Sequence, residues 1–430
     1  MLKTLRIAVF LLLASSVGSV TAFAQAQAQA PGQSPPTVIH VYRGLYGPTE
    51  VEDSLPERLF FTLSTYGASD DSTVFGEADI SDVSLQSRRF YEGAQTRLSL
   101  RRQRARSLIN FETTSALRYY AGLNDVTTTQ HGGTLAAQFA LSPRVKFQMG
   151  LAGSYSPYYE FQPGQGSSGT SPSPEQDFSI SRQRTIGYGA LGSLTFLTSR
   201  HSEFTVDGGG RYTQFLGAPD FLSHTLGARF TKRMSRDVSL VLGYSSGVLG
   251  RSDGPSTTTS TIDAGINYNR GFMVSPRTSI GFSTGSAILG GPRGQRIELV
   301  GSAFLKHQLS GRWTTQLAFA RGLQTIDTAP RPFIGETVTG SFSGYLTRRI
   351  GLRLAPSYGH GTDITANTGN YRSYSNQARV DVAFSRFWAV YVEHFFYNYR
   401  MTGGAGISLP PGLDRQGVRI GLVLWAPLVR

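Results

Sequence analysis

The sequence predicts an all-β protein: a transmembrane antiparallel up-and-down β-barrel of about eighteen strands, with sixteen as the alternative count. Three observations predict it. Apolar and polar residues alternate with period two from Leu59 onward. The alternating segments run to roughly 10–14 residues, longer than the usual strand of a globular protein. The connections between them are short and long in turn, as expected when one rim carries turns and the other carries loops.

The N-terminus is separate from that pattern. Lys3 and Arg6 precede the apolar run Ile7–Leu13, and Ala22-Phe23-Ala24 is a small-residue cleavage site. Residues 1–24 therefore read as a signal peptide cut between Ala24 and Gln25. The apolar core is too short for a stable spanning helix. Residues 25–56, opening Gln25-Ala26-Gln27-Ala28 and rich in Pro, read as a flexible periplasmic leader. Within it, Val38-Ile39-His40-Val41-Tyr42 is an apolar patch that reads as linker, with pairing to a partner or plugging of the pore as the alternative. Residues 57–430 are assigned to the barrel.

The chain has 50 Gly, 26 Phe, 20 Tyr and no Cys. The lack of Cys excludes disulfides, thiolate metal sites and a lipid-anchored N-terminus. After residue 24 no apolar run reaches the length of a spanning helix, which excludes a helical inner-membrane protein. The formal net charge is +13, and removing Lys3 and Arg6 leaves +11. For an exported chain this excess points to lipopolysaccharide, acidic glycans or anionic solutes, and not to nucleic acid.

The expected strands are 57–67, 93–103, 107–120, 132–142, 144–156, 184–197, 202–214, 221–233, 237–247, 259–270, 276–287, 296–309, 312–323, 335–347, 350–360, 373–385, 387–401 and 415–427. Val418, Ile420, Leu422 and Leu424 against Gly417, Arg419 and Gly421 show the alternation at its clearest. Short turns carry a Ser-(x)-Arg repeat roughly every 35–45 residues: Leu141–Arg144, Ser199–His201, Met234–Asp237, Ser275–Arg277, Ser310–Arg312, Thr347–Arg349 and Ser385–Arg386. Long connections include 68–92, 156–183, 250–258 and 402–413. An even strand count leaves both termini on the short-turn rim, in the periplasm. The Gly/Ser-rich stretch Pro163–Gln183 reads as an external loop, with an inward constriction as the alternative.

Alternation also assigns the faces. Apolar residues meet lipid, and Tyr119, Tyr158, Tyr159, Tyr212, Tyr268, Trp313, Tyr345 and Trp388 are placed at the interfaces. The inward set carries basic Arg97, Arg101, Arg118, Lys146, Arg211, Arg229, Arg296, Lys306, Arg353, Arg379 and Arg419. It also carries acidic Glu112, Glu203, Asp207, Asp263, Glu298 and Asp381. Eighteen strands enclose more space than wall side chains fill. A basic wet lumen concentrates anions, whereas cross-strand pairing alone would make a rigid, unselective wall.

No catalytic or metal site emerges. The seven His are scattered; His360 with Asp363 and His131 with Asp125 fall near one rim, and Ser and Asp are too abundant for such pairs to carry an activity. Glu393-His394 lies mid-strand with its facing open. Asp70-Asp71 reads as a solvated loop pair, with a divalent cation as the alternative. Gly208-Gly209-Gly210 sits inside a strand and is no phosphate loop. No cofactor is expected.

The turn Leu141-Ser142-Pro143-Arg144-Val145, its relatives Val274–Arg277 and Leu309–Arg312, and their Gly/Tyr-rich strands resemble the outer-membrane β-barrel porins of exopolysaccharide gene clusters. The resemblance implies a channel for polysaccharide secretion, assembled by the barrel assembly machinery and working with a periplasmic polysaccharide export protein. An Arg-rich lumen would suit an acidic glycan. The chain departs from many barrels in lacking a terminal aromatic; Trp425 is the nearest to its end. The expected function is thus a passive channel in the outer membrane of a Gram-negative-type bacterium, for polysaccharide export or anionic solutes. The alternative is a structural or adhesive barrel with ligand-binding loops and no open pore.

Overall fold

A computed structural model describes residues 56–75, 89–120, 126–156, 159–160, 179–181, 184–216, 219–235, 238–252, 256–272, 275–291, 294–310, 312–325, 332–363, 369–402 and 412–429. The signal segment, the leader up to residue 55, Tyr158 and Asp125 lie outside them. Twenty strands follow one another: β1 (Glu57–Phe75), β2 (Arg89–Arg104), β3 (Ser107–Tyr120), β4 (Val126–Ser142), β5 (Val145–Ser156), β6 (Tyr159–Glu160), β7 (Ser179–Ser181), β8 (Thr185–Leu197), β9 (Ser202–Phe215) and β10 (Phe221–Arg233) come first. Then come β11 (Val238–Arg251), β12 (Thr257–Phe272), β13 (Ser275–Gly291), β14 (Gly294–Ser310), β15 (Trp313–Thr325), β16 (Pro332–Tyr345), β17 (Ile350–Asp363), β18 (Asn370–Ala383), β19 (Trp388–Thr402) and β20 (Gly412–Val429).

All but β6 and β7 form one 18-stranded antiparallel sheet in which each strand pairs with the next. β20 pairs with β1 from Leu59↔Val429 to Phe75↔Gly412, so the sheet closes on itself. Closure leaves no sheet edge, which is what a strand-built wall needs where no water can satisfy backbone groups. β6 and β7 form a separate small hairpin inside the connection 156–183.

One face of the sheet is apolar yet exposed: Leu226, Leu242, Ile262, Ile266, Leu317, Val392, Ile420 and Leu422 all lie on it. Water would penalise such a belt, and hydrocarbon would not. Tyr119, Tyr212, Tyr268, Trp313 and Trp388 share this face by register. Tyr345 does not: opposite Gly351, it falls on the inner face. Its neighbour Gly344 takes the outer position, packed beneath Trp313.

The strands outrun the sequence-based boundaries mainly on the long-loop rim. β1 continues to Phe75, β4 begins at Val126 and β13 reaches Gly291. At about 3.3 Å per residue and a tilt near 40°, sixteen residues rise roughly 40 Å, well past an apolar band of about 25 Å. Strand ends above the band meet water on both faces, so period two fades in segments such as Thr127-Thr128-Thr129 and Ser69-Asp70-Asp71.

The Ser-x-Arg repeat has a local cause. Ser142, Ser199, Ser310, Thr347 and Ser385 each accept a hydrogen bond, through the side-chain oxygen, from the backbone N–H two residues on, at 3.1–3.2 Å. Ser235 does the same to Val238, three residues on. A short hydroxyl thus closes each turn. Ser275-Pro276-Arg277 is the exception: Ser275 pairs with Phe272 and opens β13.

Candidate functional site on the inner wall

Register places the predicted inward residues on the face opposite the apolar belt. Arg97 and Arg101 lie on β2, Arg118 and Glu112 on β3, and Lys146 on β5. Glu203, Asp207 and Arg211 lie on β9, and Arg229 on β10. Lys306 lies on β14, Arg353 on β17, Arg379 and Asp381 on β18, and Arg419 on β20; Glu298 has an inward register position on β14, but its carboxylate meets Arg321 of the outer face at 3.3 Å. Asp263 and Arg296 take same-face backbone positions opposite Gly243 and Leu289.

The structure draws only some of these together. One cross-strand row runs Arg353, Arg379, Glu393, Arg419, Ala68, Tyr91 from β17 to β2. Arg379 donates to Asp381 at 2.9 Å and lies 3.7 Å from Glu393, and Arg419 reaches Glu393 at 3.2 Å. Three guanidiniums thus share one row with one carboxylate, and Asp381 adds a second from the row below. Higher on the wall, Arg415 pairs with Asp70. Arg97 meets Glu112 at 3.5 Å.

These pairs differ in weight. Arg97 and Glu112 are about a third and nearly half exposed, so their pairing contributes at most about 1 kcal/mol. Glu393 and Arg419 are only 1% and 2% exposed. Removing one partner of such a buried pair leaves an uncompensated charge and costs about 3–5 kcal/mol.

Aromatic rings hold the guanidiniums. Arg379 stacks over Tyr391 at 3.9 Å, and Arg419 lies 4.8 Å from the Tyr66 ring and 5.3 Å from Phe395. Each desolvated contact of this kind contributes roughly 1–2 kcal/mol. Tyr66 meets Tyr91 edge-on at 6.2 Å, and Tyr91 stacks on Tyr120 at 5.1 Å. The Tyr391 and Ser64 hydroxyls lie 3.3 Å apart.

The rings lie flat because their cross-strand partners lack side chains. Gly421 sits beneath Tyr391, and Gly93 beneath Tyr66; a Cβ at either position would run into the ring. Here the need for Gly is space rather than backbone freedom.

Lys146, Arg211, Arg229 and Lys306 stand away from this cluster. Arg211 faces Gly189 and Ser223, and Arg229 faces Thr205 and Gly243. The wall from β11 to β16 is built largely of small groups, such as Ser245, Gly247, Ser283, Gly285, Ser302, Ala318, Ala320 and Thr339.

Several members of the cluster were not legible as site residues. Glu393 turns inward while His394 points to the outer face. Asp70 lies in β1, buried against Arg415, instead of in a solvated loop. Trp425 is buried on the inner face, with its ring 5.4 Å from Phe60 and 6.3 Å from Phe387. Tyr66, Tyr91, Tyr391, Phe395 and Arg415 complete the set; the alternating Gly of the facing strands was the one available sign of rings lying across them.

His360 and Asp363 take opposite faces of β17, so that pair does not assemble. His131 bonds Ser115 at 2.9 Å, and Asp125 lies outside the described residues. Among the described residues no group of three metal-ligating side chains converges.

No family model matches the chain, and no curated protein matches it. Among solved structures it is similar to OpdQ of Pseudomonas aeruginosa, at 9% identity over 87% of this chain and 98% of that one, with a TM-score of 0.42. It is similar to OpdO of the same organism at 12% identity over 87% and 98%, TM-score 0.43. For OccAB4 of Acinetobacter baumannii the values are 8%, 86%, 98% and 0.42.

Proposed function

We propose that this barrel is an outer-membrane channel that conducts anionic solutes along a basic strip of its inner wall. The row Arg353, Arg379, Glu393, Arg419 carries the proposal. Its three guanidiniums exceed Glu393 and the adjoining Asp381 by one, and the buried aromatic rings hold Arg379 and Arg419 in place. Fixed positive charge inside low-dielectric walls raises the local concentration of anions. The exposed apolar belt on the other face supports residence in a bilayer. The expected signal peptide would deliver the chain to the compartment that this bilayer bounds.

Secretion of an acidic polysaccharide, the cargo implied by the resemblance to exopolysaccharide-cluster porins, is the same chemistry applied to a polymer. Repeated carboxylates would move past the Arg strip, drawn by its charge, while the buried Tyr66, Tyr91 and Tyr391 hold the guanidiniums in place behind it. Planar-bilayer recording with folded protein tests the proposal. Anion-selective conductance that an acidic oligosaccharide blocks, and a neutral one does not, supports it. Absence of conductance sinks it and leaves a closed structural or adhesive barrel.

A further inference from the structure

The outer face carries a second charged row. Arg321, Glu336, His360, Arg372 and Arg400 are successive cross-strand partners on β15 to β19. They share the face of Val338, Tyr374 and Val392, so they point away from the lumen. Arg321 is matched by Glu336 and by Glu298 at 3.3 Å. The remaining guanidiniums of the row are those of Arg372 and Arg400.

Arg372 and Arg400 are directly opposite one another, an arrangement that is destabilising for like charges. Arg400 meets Asp414 at 3.6 Å, and its side chain is 49% exposed. Arg372 is exposed, and its guanidinium lies 5.6 Å over the Tyr358 ring. Directly below come Tyr358, Tyr374 and Phe396, the last two with ring centroids 5.6 Å apart.

Height identifies what this row meets. Trp388, exposed at the short-turn end of β19, marks the inner interface. Arg400 lies twelve residues further along the strand, about 30 Å higher at the usual rise and tilt, just beyond an apolar band of about 25 Å. Tyr374 lies at the outer edge of that band.

We infer that Arg372 and Arg400, above Tyr358 and Tyr374, form a binding site for the phosphorylated headgroup of an outer-leaflet glycolipid. Guanidiniums pair with phosphate bidentately. Arg372 lies over Tyr358 of β17 and Arg400 reaches Asp414 of β20, so each would take phosphate from its own side of the β18–β19 pair, and the rings below contact the sugar and the first methylenes. The inference rests on the outer-membrane reading but not on conduction.

The test uses the full folded chain in detergent, with lipid A bisphosphate and its dephosphorylated form as probes and native mass spectrometry as readout. Wild type is expected to retain the bisphosphate. The double variant Arg372→Gln/Arg400→Gln is expected to bind it about tenfold more weakly, as is wild type with the dephosphorylated lipid. Lys232→Gln, an outer-face change on the opposite rim, should leave binding unchanged. Equal binding by the double variant, given unchanged far-ultraviolet circular dichroism and heat-modifiable gel mobility, overturns the inference. So does equal binding of the two lipids. Lipid binding without conductance retains this site and removes the channel reading.

Discussion

The two sides of the inner wall are built on different principles. From β17 through β20 to β3, large rings lie over glycines and enclose Arg379, Glu393 and Arg419. From β11 to β16, the same face presents mostly Ser, Thr, Ala and Gly, with Lys306 and the backbone positions of Asp263 and Arg296 set singly among them. The outer faces of the two arcs are alike, each a belt of exposed Leu, Ile and Val. The difference is therefore internal. One arc fixes charge in place at the cost of packing constraints, and the other keeps the wall thin.

The comparison can be broken by substitution, and the largest expected effect is at the charge cluster. Glu393→Gln leaves Arg379 with Asp381 and strips Arg419 of its carboxylate. It should destabilise the barrel by about 3 kcal/mol, read as an earlier urea midpoint in lipid-micelle unfolding. Next, a lipid-facing charge should be equally harmful on both arcs. Val392→Arg and Ile266→Arg should each cost about 2–4 kcal/mol if both sit near the bilayer midplane. A large inequality would show that the arcs differ outside as well as inside.

Smaller again is the steric contrast. Gly421→Ala runs into both the Thr65 carbonyl oxygen and the Tyr391 ring and should cost about 1–3 kcal/mol, with the ring's cation contact to Arg379 disturbed. Ser245→Ala on the thin arc should stay within about 0.5 kcal/mol by the same measurement. Similar costs at the two positions would mean that the arcs are packed alike.

Much of this architecture was legible in the sequence because a membrane sorts residues by face. Val418, Ile420 and Leu422 against Arg419 and Gly421 could be read directly. The turns were legible because a Ser hydroxyl two residues before the accepted N–H recurs with each hairpin. Legibility failed where both faces carry the same chemistry. In β19, Phe395, Phe396, Tyr397 and Tyr399 place aromatics on both sides, so the facing of Glu393 could not be deduced. It also failed above the bilayer, where Asp70 looks like loop but is strand, and where polarity no longer distinguishes wall from water. Candidate Arg residues could be assigned to a face but not to a cluster. Which of them meet depends on cross-strand register, and that is set by closure of all eighteen strands.

The central claim, that one arc of the inner wall makes the barrel selective for anions, is tested most directly by the reversal potential under a salt gradient in a planar bilayer. Wild type should show an anion-selective sign. Arg353→Glu, which reverses one end of the charged row, should shift the potential toward cations by far more than Lys306→Glu on the thin arc. A cation-selective wild type, or equal shifts from the two variants, would contradict it.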